Sequence, residues 1–277
     1  MNEKIFDNHI YLDTNILSHI CKNKGLVAPL NQFLVDNNLS IALTGAQLSE
    51  LSDVPNILSK LLEFLPLIPS VLLMDSDEII KNEIESYPNE NKKNIPFCVL
   101  INILLSENQY KRFLPRIFSG DLNKAREIQR STSYKMRDRL TTLKNNFPPS
   151  ENGKYKKSQS AAFEIALVLQ LLKSYCDIRR FKVDDFTKNY KVFKSLRLYS
   201  LVIFYKYYLN GQAPKKPSDF GDLFHLFFLP YCKMIITERN MCSILKQIQK
   251  SEDILQNIKS IIFLFLMIFR SSYIETT

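Results

Sequence analysis

A chain of 277 residues, 45% hydrophobic and 12% aromatic, can bury the core of one large domain or two modest ones, which excludes an intrinsically disordered polymer. Thirty-seven Lys and Arg against 28 Asp and Glu leave a net charge of +9, which favours a polyanionic partner, nucleic acid first and a membrane surface second. The five cysteines (Cys21, Cys98, Cys176, Cys232, Cys242) are odd in number and no pair has metal-ligand spacing; this argues against a disulfide framework and leads us to expect a reduced, cytoplasmic setting.

The opening stretch MNEKIFDNHIYLD has no apolar h-region, so no secretory signal is expected. Residues 9–13 read as a first strand, an apolar, β-prone run that ends on Asp13. Asn15 to Cys21 reads as the start of a helix, interrupted by Gly25 and Pro29. Leu39 to Leu43 reads as a second strand, and Thr44 then caps a helix through Gln47, Leu48, Glu50 and Leu51. A strand followed by a capped helix is the βα step of a parallel sheet. Leu58 to Leu65 is a further apolar helical segment ended by Pro66. Ser70 to Met74 reads as a third strand, followed by a cap at Asp75, Ser76 and Asp77 before Ile79, Ile80 and Ile84.

From about Pro88 the character changes. Residues 95–119, 121–145, 158–179 and 183–209 have helical spacing and few strand signals, and no period recurs, so they read as a helical insertion rather than a repeat. Asn210-Gly211 ends the last helix as a left-handed cap. The α/β pattern resumes after Pro217. Ser218 and Asp219 open a short helix through Leu229, stopped at Pro230; Met234 to Ile236 is a compact strand; Met241 to Gln249 is helical. Ile261 to Phe269 is an apolar run of nine residues, well short of the roughly 20 a membrane span needs, so it reads as a terminal buried strand or an oligomer contact and no membrane partner is expected. The resulting division is a core of residues 1–90 and 211–277 and a basic helical insertion of 91–210.

The charge is concentrated. Between Lys111 and Lys157 thirteen Lys and Arg face four Asp and Glu, an excess of +9 that equals the whole chain's net charge. Lys135, Arg137 and Arg139 follow Tyr134, and Lys154, Lys156 and Lys157 flank Tyr155. Basic side chains neutralise phosphates and Tyr can stack on unpaired bases, so these residues are candidate nucleic-acid contacts. The competing reading is a solvated helix face whose tyrosines pack into the core.

Four acids fall into a pattern. Asp13 and Glu238 each stand just past a strand, Glu50 lies in the helix after the second strand, and Asp222 one turn into the helix after Ser218. Each has a plain alternative: Asp13 as an N-cap, Glu50 as a solvated helix residue, Glu238 in a surface ion pair with Arg239 or Lys233. In a right-handed βαβ arrangement the strand ends share one edge. Carboxylates that converge there repel unless cations neutralise them, and hard divalent ions take such oxygen ligands. His225, three residues after Asp222, reads as a supporting or packing histidine rather than a ligand.

IYLDTN, then Ser49-Glu50-Leu51, then DFGDLFHLFFLPYCKMIITERNM resembles the PIN-domain ribonucleases. The resemblance covers roughly residues 5–85 and 215–250. It implies Asp13, Glu50, Asp222 and Glu238 as catalytic, metal-holding acids for Mg²⁺ or Mn²⁺, with Asn15 and Thr237 in support. Asp219, three residues before Asp222, shares its helix face and reads as a helix cap with Ser218 or a further supporting residue. Glu238 departs from the family, where Asp is commoner, and the helical insertion is larger than in its compact members. The expected fold is therefore α/β, a PIN-like parallel-sheet core flanked by helices with a large, mostly helical insertion. The expected function is metal-dependent endoribonuclease action, with RNA ahead of DNA as the nucleic-acid partner and a homo-oligomer or an inhibitor protein as further partners. The alternatives are a DNA or structure-specific nuclease, and an inactive PIN-like nucleic-acid-binding scaffold.

Overall fold

The computed structural model describes residues 8–73, 75–87, 98–100, 127, 131, 142–143, 145–149, 153–212 and 222–263. They build an α/β fold around a six-stranded sheet: β1 (Asn8–Leu12), β2 (Leu39–Leu43), β3 (Ser70–Leu73), β4 (Cys98–Leu100), β5 (Met234–Thr237) and β6 (Ser260–Phe263), in the order β4-β3-β2-β1-β5-β6. Five strands are parallel, with Tyr11 opposite Ala42 and Ile235, and β4 closes one edge antiparallel, Val99 opposite Leu72. Parallel neighbours need crossovers, and helices supply them. α1 (Thr14–Lys22) and α2 (Val27–Asp36) join β1 to β2; α3 (Gly45–Ser52) and α4 (Pro55–Phe64) join β2 to β3; α5 (Ser76–Ser86) follows β3. α6 (Ser160–Leu172), α7 (Val183–Asn189) and α8 (Lys194–Ile203) precede a 3-10 helix at Asp222–Tyr231, and α9 (Arg239–Ser251) joins β5 to β6.

Successive strand residues point to opposite faces. Ile10, Leu12, Ile41, Leu43 and Ile236 therefore face α1 to α4, in a core that includes Leu17, Ile20, Leu34, Leu48 and Leu61. Tyr11, Ala42, Val71 and Ile235 face the other way, packing with Ile80, Phe163, Leu167, Leu201 and Leu245. The apolar, two-sided strands of a buried parallel sheet follow from this double cover. The helices α6 and α8, from the stretch read as an insertion, share this second core with the strands.

Several local expectations change. Pro29 does not interrupt a helix: it is the third residue of α2, in a first turn whose N–H groups have no intrahelical acceptor anyway, and Gly25 lies in a 3-10 turn, Lys24–Leu26. Residues 98–100, read as helical, form β4, because the edge of β3 offers unpaired backbone groups to a short apolar run. The rest of 95–119 and nearly all of 121–145 lie outside the described residues. Residues 183–209 are not one helix. Buried Tyr190 and Val192 form a 3-10 turn, Phe193 at φ −80°, ψ 59° breaks the run, and Phe204–Leu209 is a π-helical end to α8. Gly211, at φ +61°, takes the left-handed conformation expected of it. Ser218 and Asp219 lie outside the described residues, and Pro230 is inside the 3-10 helix rather than its stop. Among the described residues no helix is long and apolar enough to cross a membrane.

Candidate functional site

From β1 the chain runs outward to β2 and β3, then returns to lay β5 on the opposite side of β1. Open α/β sheets bind ligands at the carboxyl ends of the strands where the order reverses in this way. The ends of β1 and β5 therefore mark the site, and Asp13 stands there. It is the N-cap of α1 at φ −55°, ψ 150°, with Oδ1 accepting from the Asn15 backbone N–H at 3.1 Å. Its other oxygen serves a different segment: Oδ2 accepts from the Thr237 hydroxyl at 2.8 Å, and the Asp13 N–H donates to the Ile236 carbonyl at 2.9 Å. The capping reading thus accounts for one carboxylate oxygen, and the end of β5 holds the other. Among the described residues no Lys or Arg forms an ion pair with Asp13.

Glu50 arrives from α3. Thr44 and Gln47 form a reciprocal capping box, Thr44 Oγ1 accepting from the Gln47 N–H at 3.2 Å and Gln47 Oε1 from the Thr44 N–H at 2.9 Å. The Gln47 amide also donates to the Leu12 carbonyl, which keys the start of α3 to the end of β1. One turn on, on the same face, Glu50 Oε2 accepts from the Thr14 hydroxyl at 2.6 Å, and Oε1 lies 3.0 Å from His225 Nε2. His225 is buried, with its ring centroid 6.1 Å from that of Tyr11. The histidine therefore does what its position suggested: it supports an acid and packs on the sheet.

The structure brings Asp13, Glu50, Thr237 and His225 to this edge, together with Thr14, which sequence reasoning did not single out. Its only signal was its place directly after Asp13; that its hydroxyl meets Glu50 depends on the crossover between them. Asn15 contributes its backbone N–H to Asp13, and its side chain is exposed. Glu238 occupies the N-cap position of α9 beside Thr237, exposed and making no cap hydrogen bond with its side chain. Asp222 opens the 3-10 helix that carries His225, and its side chain is outside the described residues, as is Asp219.

Lys135, Arg137 and Arg139 lie outside the described residues; Lys154, Lys156 and Lys157 are exposed just ahead of α6. Tyr155 between them is half-buried, edge-on to Tyr208 at 4.9 Å between centroids, with its hydroxyl donating to the Phe147 carbonyl at 2.9 Å. For this tyrosine the packed reading replaces the base-stacking one, because its ring is spent on the core.

Among the described residues no three His, Cys, Asp or Glu side chains stand close enough together to hold a metal ion. The two acids that are placed still have the right chemistry for one. An ionised carboxylate offers about four lone-pair sites, and each described hydrogen bond at Asp13 and Glu50 uses only one. All the groups are hard oxygen donors, the set that Mg²⁺ and Mn²⁺ prefer. Comparison of the chain with protein-family models, with curated proteins and with solved structures returned no match.

Proposed function

We propose that this protein is a metal-dependent nuclease of PIN-like architecture that hydrolyses RNA phosphodiester bonds. The observation that carries the reading is that Glu50 bonds Thr14, the residue after Asp13, at the switch point of the sheet, with each acid gripped from a distant part of the chain, Asp13 by Thr237 and Glu50 by His225. A helix cap or a solvated helix residue needs no such support. Asp13 and Glu50, with Asp222 and Glu238 from the returning segment, would hold the Mg²⁺ or Mn²⁺. The ion would supply a lowered pKa for bound water and neutralisation of charge on the scissile phosphate. The chain's own part is to orient those carboxylates through Thr14, Thr237 and His225, and to hold the polyanion. Lys154, Lys156 and Lys157, exposed beside α6, are the described cations suited to that task, and Lys135, Arg137 and Arg139 belong to the same basic stretch.

RNA stands ahead of DNA through the resemblance alone, since phosphate contacts do not read the sugar. One observation favours a second reading, an inactive nucleic-acid-binding scaffold: Glu238 is exposed and, among the described residues, makes no cap hydrogen bond that would orient its side chain. The deciding experiment is cleavage of labelled single-stranded RNA and DNA with Mn²⁺ or Mg²⁺, native chain against Asp13→Asn. Asn caps a helix as well as Asp does, so the variant keeps the α1 cap on its one oxygen while losing the ligand charge and turning the acceptor that faces the Thr237 hydroxyl into a donor. RNA cut by the native chain and spared by the variant supports the nuclease. Equal cutting by both removes Asp13 from the site. Binding without cutting by either moves the scaffold ahead.

A further inference from the structure

On the face of the sheet that carries α5 and α8, one carboxyl sits where three segments meet. Glu83 of α5 is 2% exposed. Its Oε1 accepts from the Ser195 N–H in the first turn of α8 at 2.8 Å and from the Tyr231 hydroxyl at 2.5 Å. Ser195 in turn donates its hydroxyl to the Phe227 carbonyl at 2.7 Å. Oε2 is buried with no hydrogen-bond partner among the described residues. Phe227 and Tyr231 both belong to the 3-10 helix Asp222–Tyr231, whose third residue after the start is His225. A ten-residue 3-10 run is long for a geometry with poorly aligned hydrogen bonds, which seldom passes 3–4 residues. Where such a segment lies depends on what it is tied to. His225 ties it to Glu50, and Phe227 and Tyr231 tie it to Ser195 and Glu83.

We propose that Glu83 is a positioning residue for the candidate site: through Tyr231 and Ser195 it holds the 3-10 helix so that His225 lies on Glu50, and ionisation of Glu83 loosens that helix. The consequence for catalysis rests on the nuclease reading above; the tie between Glu83 and the 3-10 helix does not. As a neutral acid Glu83 keeps both hydrogen bonds to Oε1 at the modest cost of one unpaired O–H. As a carboxylate it would leave Oε2 a buried charge without a donor, which costs far more. Few charges oppose this. Among the described residues Lys194, at the start of α8, is the cation whose field lowers the carboxyl's pKa. From the 3-10 helix comes Tyr231, itself pushed well up by burial and so neutral. Arg180, from the 3-10 turn Ile178–Arg180, reaches the Ile84 carbonyl of α5 at 3.4 Å rather than Glu83. Burial outweighs the hydrogen bonds and Lys194 together and brings the group up to about 7, so it titrates across the neutral range.

Hydrogen exchange of the full chain at pH 6 and pH 8, corrected for intrinsic rates, tests this without any substrate. In the native chain the amides of 222–231 should lose at least about ten-fold in protection between the two values while those of α6 and α9 hold steady, a local response that general destabilisation does not give. Glu83→Gln keeps an oxygen acceptor and cannot ionise, so its 222–231 amides should stay protected at both. Tyr231→Phe removes one donor and should show the loosened helix already at pH 6. Equal protection of the native helix at both pH values overturns the proposal, as does a Gln variant that loosens like the native chain. If the Gln variant fails to fold, Tyr231→Phe decides: native-like protection of 222–231 at pH 6 overturns it. The predicted exchange pattern in a chain that cuts no nucleic acid would end the nuclease reading and leave the Glu83 tie standing.

Discussion

His225 approaches one oxygen of Glu50 at 3.0 Å while Thr14 holds the other at 2.6 Å, so a single carboxylate on α3 is gripped by the segment after β1 and by the one before β5. Such partners fix the direction in which a carboxylate presents its remaining lone pairs. Outer partners of metal ligands are typically worth 10–100-fold in metal affinity. Thr14→Val keeps the side-chain shape and removes the donor. We expect Mn²⁺ to bind it about ten-fold more weakly by calorimetric titration, with a stability loss of about 1 kcal/mol in urea. His225→Ala should weaken Mn²⁺ binding at least as much. Affinity unchanged in both variants would take Glu50 out of the ligand set.

Thr237→Val tests the opposite side of the site. It removes the donor to Asp13 Oδ2 and leaves the α1 cap on Oδ1 intact. The fold should lose about 1 kcal/mol, while cleavage should fall more than stability accounts for. Cleavage by a chain shown to be fully folded at the assay temperature separates the two. If activity tracks only the folded fraction, Thr237 is a packing residue and no more.

The capping box carries a different kind of prediction. Thr44→Ala loses an N-cap and should cost about 1 kcal/mol. Gln47→Leu loses the reciprocal bond and also strands the buried Leu12 carbonyl, adding about 1–3 kcal/mol. The Gln47 change should therefore destabilise more, in urea unfolding, although a rule based on helix propensity ranks Leu as the better residue. It should also weaken Mn²⁺ binding, because the same bond sets where α3 delivers Glu50.

What could be read ahead of the structure divides along physical lines. Strand, cap and helix from Leu39 to Leu51 are written in local terms, a β-prone run followed by Thr44 and Gln47, and they form as read. Gly211 likewise takes the conformation expected of it, while β1 runs one residue earlier than read, Asn8–Leu12, and leaves Asp13 to cap α1. Helix breaks between 183 and 209 were hidden because the apolar spacing continues through them; what breaks the helix is the packing of Tyr190, Val192 and Phe193 into the core, a tertiary effect. β4 was hidden because three residues carry too little periodicity to distinguish a strand from a helix turn. At the site, the positions of Asp13 and Glu50 and a supporting His225 were legible, but the hydrogen bond from Thr14 to Glu50 was not, since it is a contact between segments far apart in the chain.

Arg197 of α8 is buried between Glu164 of α6, at 2.6 Å, and Asp253 beyond α9, at 2.5 Å. Removing one member of a buried pair leaves an uncompensated charge and typically costs 3–5 kcal/mol, whereas replacing the pair by apolar residues is often neutral. Arg197→Met alone should therefore be strongly destabilising. Arg197→Met with Glu164→Leu should recover most of the loss, with Asp253 left to Lys191 at 2.6 Å. Calorimetric melting of both variants checks this; a double variant no better than the single would show that the pair is needed for packing and not only for charge balance.

Asp253 and Glu83 should move stability with pH in opposite senses. Burial pushes the Asp253 carboxyl up, but hydrogen bonds from Lys191 and Arg197 outweigh it and bring the group down to about 2, from 3.8. Its contribution is therefore complete above about pH 4 and lost as pH falls through 2. Because its side chain is 47% exposed, salt should shrink that contribution. Glu83 is raised from 4.5 to about 7, so the folded chain holds a proton that the unfolded chain has released. Its stabilising effect, on the order of 3 kcal/mol, is complete below pH 4.5 and lost as pH rises towards 7. Urea midpoints from pH 2 to 8 should show a rise below pH 4 that Asp253→Asn flattens, and a fall between pH 4.5 and 7 that Glu83→Gln abolishes. If the fall persists in the Gln variant, another buried acid such as Glu164, which burial also raises against the charge of Arg197, is the group that titrates.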